Sequence, residues 1–157
     1  MAPSEDNLDA LQGKVIAVLD DERDVREGLA ELLTMWRCTP VVAASARELT
    51  DWLQATGALL DAVIADYRLR DHKSGATAIA DLRDLYGARL PALIMSGDTT
   101  PEIFRLASEI GLPLLSKPVR AARLRATLQH LLGSPPYPIT SQPDVSTATP
   151  PPRPHWP

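Results

Sequence analysis

Five short apolar runs, each broken off by polar residues and followed by a helical repeat, constrain this chain more than any other feature. They occupy residues 14–19, 39–43, 62–65, 90–95 and 112–115. A run this short and unbroken reads as a strand buried on both faces, as in a parallel sheet. The segments between them place apolar residues on one helix face. These are Val25, Leu29, Leu32, Leu33 and Trp36, then Leu49 and Leu53, then Ile79, Leu82 and Tyr86, then Ile103, Ala107 and Ile110, then Leu124, Leu128 and Leu131. Strand and helix alternating five times, with short connections, predict an α/β fold. It is a doubly wound, five-stranded parallel sheet with five helices and right-handed crossovers. Pro40 cannot donate to a ladder, so the second strand belongs at an edge. That fits strand order 2-1-3-4-5.

The boundaries carry their own signals. Ser45 with Glu48 reads as a capping box, with Glu48 reaching back to Ser45. Thr100 followed by Pro101 reads as an N-cap and first helical residue. Gly57, Gly87, Gly111 and Gly133 stand where helices should stop. Residues 1–13 read as a flexible lead-in and 14–133 as one domain. Residues 134–157 hold many of the 15 prolines and almost nothing apolar, so a Pro-rich disordered tail is expected.

Composition excludes several classes. The net charge of −4 advertises no nucleic acid and no anionic membrane. No stretch reaches the roughly 20 apolar residues of a membrane span, and the acidic start does not resemble a signal peptide. The single cysteine, Cys38, permits no internal disulfide and is expected in the core; a reducing cytoplasm suits it. His72, His130 and His155 are too scattered for a zinc site. Trp36 and Trp52 are expected to pack against helices, and Arg120, Arg123 and Arg125 to form a solvated face or to meet a partner.

The polar residues at the strand ends carry the chemistry. Asp20 and Asp21 follow the first strand, Asp66 the third, Ser96 the fourth and Lys117 the fifth. All fall at the carboxyl edge, where open α/β sheets bind ligands. Strands one and three flank the switch point, so three carboxylates crowd one crevice and call for a cation. Mg2+ suits oxygen ligands and a phosphate. Lys117 supplies a point charge for phosphate oxygens and Ser96 a hydroxyl. Together they read as a phosphoryl-transfer site with Asp66 as nucleophile. Each piece alone has a plainer reading: helix-capping acids, a Ser-Gly turn, a Lys-Pro loop. Their coincidence at one sheet edge favours the site.

The motifs Val-Leu-Asp20-Asp21-Glu22, Val-Ile-Ala-Asp66-Tyr-Arg-Leu, Ile-Met-Ser96-Gly97-Asp98 and Ser-Lys117-Pro118 resemble the receiver domain of two-component signalling. The likeness spans about residues 14–132. It implies a flavodoxin-like fold and a phosphoacceptor role. Asp66 would take a phosphoryl group from a phosphohistidine. Mg2+ would be bound by Asp21, Asp66 and the backbone carbonyl of Arg68, with Asp20 acting through water. Ser96 would move toward the phosphoryl group, Lys117 would pair with it, and the Lys117–Pro118 bond would be cis. The implied partners are a histidine kinase or a histidine phosphotransfer protein, with no nucleic acid and no membrane contact; a homodimer is compatible. No organic cofactor is implied. The family's aromatic switch position holds Leu114, which puts the usual aromatic switch in doubt. The Ser-Gly-Asp and Leu-Pro-Leu-Leu-Ser-Lys-Pro stretches look most like the C-terminal receiver of a hybrid sensor histidine kinase, so output is expected through a partner or through missing parts of such a kinase. The competing readings are a haloacid-dehalogenase-like phosphatase and a pseudo-receiver scaffold that takes no phosphate. A dinucleotide site is disfavoured, because no Gly-x-Gly-x-x-Gly follows the first strand.

Overall fold

The computed structural model describes residues 10–69 and 74–133. The Pro-rich tail, the first nine residues of the lead-in, His72 and His155 lie outside the described residues. The elements run β1 (Val15–Leu19), α1 (Arg23–Met35), β2 (Thr39–Ala43), α2 (Ala46–Thr56), β3 (Ala62–Asp66), α3 (Gly75–Tyr86), β4 (Ala92–Ser96), α4 (Pro101–Glu109), β5 (Leu114–Ser116) and α5 (Ala121–Gly133). All strand pairs are parallel, in the order β2-β1-β3-β4-β5. This is the expected doubly wound, flavodoxin-like α/β sheet.

The period-two alternation of strand side chains divides the core into two layers. Ala17, Leu19, Val63, Ala65 and Ile94 face α2 and α3, meeting Leu49, Leu53, Ile79 and Leu82. Ile16, Val18, Ala62, Ile64, Leu93 and Met95 face α1 and α5, meeting Leu29, Leu33, Leu124 and Leu128. Being buried on both faces, the central strands carry no polar residue until their last position. Each fully buried Leu or Ile contributes about 1.5–3 kcal/mol.

The edge position of β2 has a visible cause. Thr39 N–H donates to the Lys14 carbonyl, and Asp20 N–H donates to the Ala43 carbonyl. The odd-numbered residues of β2 therefore face β1, and Pro40 lacks its N–H on the outward side, where no strand waits. Ser45 caps α2 by accepting from Glu48 N–H at 3.1 Å. The Glu48 carboxylate returns to Ala44 N–H at 3.0 Å, one residue short of the expected Ser45. Thr100 caps α4 through Ile103 N–H, and Ser74 caps α3 through Thr77 N–H.

Several expectations are corrected. Leu11 is fully buried and its carbonyl accepts from the Cys38 thiol. The packed unit therefore reaches back into residues 10–13, Leu11 joining the apolar layer that contains Ile16, Leu33, Trp36 and Leu128. Ile110 is the C-cap of α4 and 39% exposed, since the helix ends one residue before it. Trp52 is exposed, whereas Trp36 is buried. Arg125 is not simply solvated: its guanidinium lies 5.9 Å from the centre of the Trp36 ring. β4 and β5 begin two residues later than their apolar runs. Pro91 and Pro113 lack an N–H, and the Leu90 carbonyl is taken by the Arg83 guanidinium. Cys38 behaves as a core residue, burial and the nearby Asp61 pushing its thiol up to about 11.

Gly75 is required by proximity. A Cβ there would overlap the backbone carbonyl of Asp66. Gly75→Ala should therefore cost about 1–3 kcal/mol by forcing the backbone apart. Gly28→Ala, in a helix with open space around it, should stabilise by about 0.5–1 kcal/mol. Urea denaturation midpoints of the two variants should move in opposite directions.

Candidate functional site

The site lies where β1, β3, β4 and β5 reach their carboxyl ends. Asp66 is the last residue of β3, and its partner across the ladder is Met95, next to Ser96 at the end of β4. Ser96 in turn pairs with Ser116, and Lys117 N–H donates to the Ser96 carbonyl at 2.9 Å. The sheet thus sets the acid, the hydroxyl and the amine side by side. The Lys117–Pro118 bond is cis, as the motif implied.

Lys117 is the electrostatic centre. Its ammonium lies 2.9 Å from Asp66 Oδ2, 2.9 Å from Asp20 Oδ2 and 3.2 Å from Glu22 Oε1. Burial alone would lower its pKa, but Asp66 and Asp20 outweigh burial and hold the ammonium charged well above the usual lysine range. Asp66 is also pushed upward, which for a carboxyl favours the neutral form. Burial raises its carboxyl above the ordinary carboxylate value, Lys117 opposes that rise, and Asp20 adds to it.

Asp20 is fully buried and divided in function. Its Oδ1 accepts from Glu22 N–H at 2.8 Å, turning the chain into α1. Its backbone carbonyl accepts from the Arg26 guanidinium. Its Oδ2 meets Lys117 as an ion pair, yet it is a buried oxygen that receives no well-directed hydrogen bond. Asp21 is partly exposed, and one carboxylate oxygen each from Asp20, Asp21 and Asp66 lies within 4.8 Å of the others. An all-oxygen set of three carboxylates, one of them with a buried oxygen that receives no well-directed hydrogen bond, fits a hard divalent cation such as Mg2+.

The second half of the site is a hydrogen-bonded turn. Ser96 Oγ donates to the Asp98 carbonyl at 2.7 Å and accepts from Asp98 N–H at 3.1 Å. The Asp98 carboxylate pairs with Arg68 Nη2 at 2.9 Å, and Arg68 N–H points at Asp66 Oδ1 across 3.4 Å. Leu114 opens β5, partly buried, and lines an open groove of about 530 Å³ with Phe104 and Ser116.

The structure therefore brings together Asp20, Asp21, Asp66, Ser96, Lys117 and Arg68, while Leu114, at the start of β5 opposite Ile94, makes no contact with them among the described pairs. Sequence reasoning assigned no site role to Glu22, Arg26 and Asp98. Glu22 and Asp98 were visible inside the quoted motifs. Arg26 had no signal beyond lying one turn into α1.

Comparison with known proteins agrees with this geometry. The family model for the response regulator receiver domain matches residues 16–129. The chain belongs to the response regulator receiver family of two-component signalling. The Vibrio cholerae chemotaxis protein CheY4 superposes with a TM-score of 0.69 at 24% identity, covering 76% of this chain and 99% of its own. A response regulator receiver domain protein from Clostridium thermocellum gives 0.68 at 22%, covering 76% and 94%. A response regulator receiver protein from Pseudoalteromonas atlantica gives 0.66 at 22%, covering 76% and 97%. At these identities the likeness shows the fold. No curated protein matches the sequence. Among the described residues no helix is long and apolar enough to cross a membrane.

The charge balance yields a prediction. The folded pKa of Asp66 lies above its unfolded value, so its contribution to stability is fullest below the unfolded pKa and is lost as pH rises through the folded one. Removing Lys117 should raise the folded value further. Lys117→Met should thus cost about 1–3 kcal/mol near neutral pH, less than a fully buried pair because the site is partly wet. The deficit relative to wild type should shrink as the pH falls from about 8 to about 5. Denaturation midpoints across that range would refute this if the deficit grew with acidity.

Proposed function

We propose that this chain is a magnesium-dependent phosphoacceptor in a phosphorelay, taking a phosphoryl group from a phosphohistidine onto Asp66. The observation that carries it is Lys117, which bridges Asp66 and Asp20 at 2.9 Å each beside a three-carboxylate cluster. Asp21, Asp66 and the Arg68 backbone carbonyl would hold Mg2+, with Asp20 reaching it through water. When bound, the ion would neutralise charge on the phosphoryl oxygens.

The residues do the rest by position and charge. A lone pair on an Asp66 carboxylate oxygen forms the new O–P bond. The P–N bond to the donor imidazole breaks, and the imidazole leaves with the electron pair and takes a proton from solvent. Lys117 then exchanges its contact with Asp66 Oδ2 for a phosphoryl oxygen, remaining charged throughout. Ser96 donates its hydroxyl proton to a second phosphoryl oxygen. The donor is a histidine kinase or a histidine phosphotransfer protein, which places the chain in the cytoplasm. With Leu114 in place of an aromatic, output passes through the surface of α4 and β5 to a partner, a second copy, or other parts of a hybrid kinase. In this reading residues 14–133 are the receiver unit, with residues 10–13 of the lead-in packed against it and 134–157 as the tail. The family match weighs against the haloacid-dehalogenase-like phosphatase, whose nucleophile follows the first strand. The intact acid set weighs against a pseudo-receiver.

Incubation with acetyl phosphate and Mg2+ should add one phosphoryl group to the intact mass. The addition should vanish in Asp66→Asn and when EDTA replaces the ion. A label persisting in Asp66→Asn would place the acceptor elsewhere.

A further inference from the structure

The Ser96 hydroxyl has a single proton, and it is already committed. It goes to the Asp98 carbonyl at 2.7 Å, while the same oxygen accepts from Asp98 N–H. Ser96 is 1% exposed, so water offers no substitute partner. To donate toward Asp66, the hydroxyl must abandon that carbonyl and residues 96–98 must open. What holds Asp98 is a residue from the opposite bank of the site: Arg68, whose guanidinium pairs with the Asp98 carboxylate at 2.9 Å. Arg68 also directs its backbone N–H at Asp66 Oδ1. One residue thus touches the proposed phosphoacceptor through its backbone and the Ser96 turn through its side chain.

We infer that the Arg68–Asp98 ion pair is a latch that keeps residues 96–98 closed and the Ser96 proton on Asp98 until an anion arrives at Asp66. The phosphoryl-dependent half of this rests on the function proposed above. A phosphoryl group offers more negative charge and more acceptor oxygens than the Asp98 carboxylate. It therefore competes for the guanidinium, and releasing Asp98 frees the Ser96 turn. Asp98 is a positioning residue in this scheme, acting through Ser96; Arg68 holds it until the guanidinium turns to the phosphoryl group. The side chains are 71% and 55% exposed, which makes the latch weak and readily reversible. Its expected effect is about two- to five-fold, the scale of an exposed ion pair.

Two readouts on Arg68→Ala, Asp98→Asn and the double variant test it. In the unphosphorylated protein, amide hydrogen exchange at residue 98, corrected for intrinsic rates, should accelerate about two- to five-fold in each single variant and no further in the double. With acetyl phosphate and Mg2+, Asp98→Asn should speed phosphorylation in the Arg68 background and have no effect in the Arg68→Ala background. Unchanged exchange in both single variants would overturn the latch. So would an Asp98→Asn effect of equal size in both backgrounds, which would make Asp98 a bare charge repelling the donor. Should even the wild-type chain take up no phosphoryl group, the proposed function fails, and accelerated exchange in the variants would still support the latch.

Discussion

Two buried carboxylates and one ammonium form the constraint around which this protein is built. Asp20 and Asp66 end adjacent parallel strands, so their backbones cannot separate without breaking the sheet. Nor can either side chain escape to water, being 0% and 7% exposed as residues. Repulsion and burial both penalise ionisation, and Lys117 offsets the cost by reaching both oxygens at once. The arrangement stays electrically tense. Asp66 is held above the ordinary carboxylate value and Lys117 above the ordinary lysine range, the kind of perturbation that crowded functional sites show.

The fold bears that tension because so much of it converges on the same rim. Lys117 is not a free arm: its backbone N–H is tied to the Ser96 carbonyl. Asp20 has three roles at once, turning the chain into α1, receiving Arg26 through its carbonyl and facing Lys117. Gly75 lets α3 begin hard against the Asp66 carbonyl. The packing layers beneath are apolar throughout, so displacement of any one of these groups would have to be absorbed by the sheet itself.

The phosphoryl-dependent signalling proposed above would require something at this rim to have two positions. The strands cannot supply it, being packed on both faces. The loops are the other candidates, and the hydrogen-bonded turn at Ser96 is joined to the β3 side of the site by the Arg68–Asp98 pair. An open groove beside Leu114 is lined by Phe104 from α4 and by residues of β5.

Local chemistry made much of this protein readable before any coordinates. Unbroken apolar runs mark buried strands because a strand covered on both faces tolerates nothing polar, and Pro40 marks an edge because it has no N–H to give. Asp20, Asp21, Asp66, Ser96 and Lys117 could be assembled on paper because parallel strands align their carboxyl ends. The same logic was blind wherever partners depend on which helix shadows which slot. Leu11 looked like part of a polar lead-in until α5 and β1 closed over it, Ile110 kept helical spacing beyond the last turn, and Arg125 found Trp36. The meeting of Glu22 with Lys117, 95 residues away, and the clasp of Arg68 on Asp98 follow from loop paths. Periodicity reports which face a residue occupies; only the closed sheet brings two loops within reach of one another.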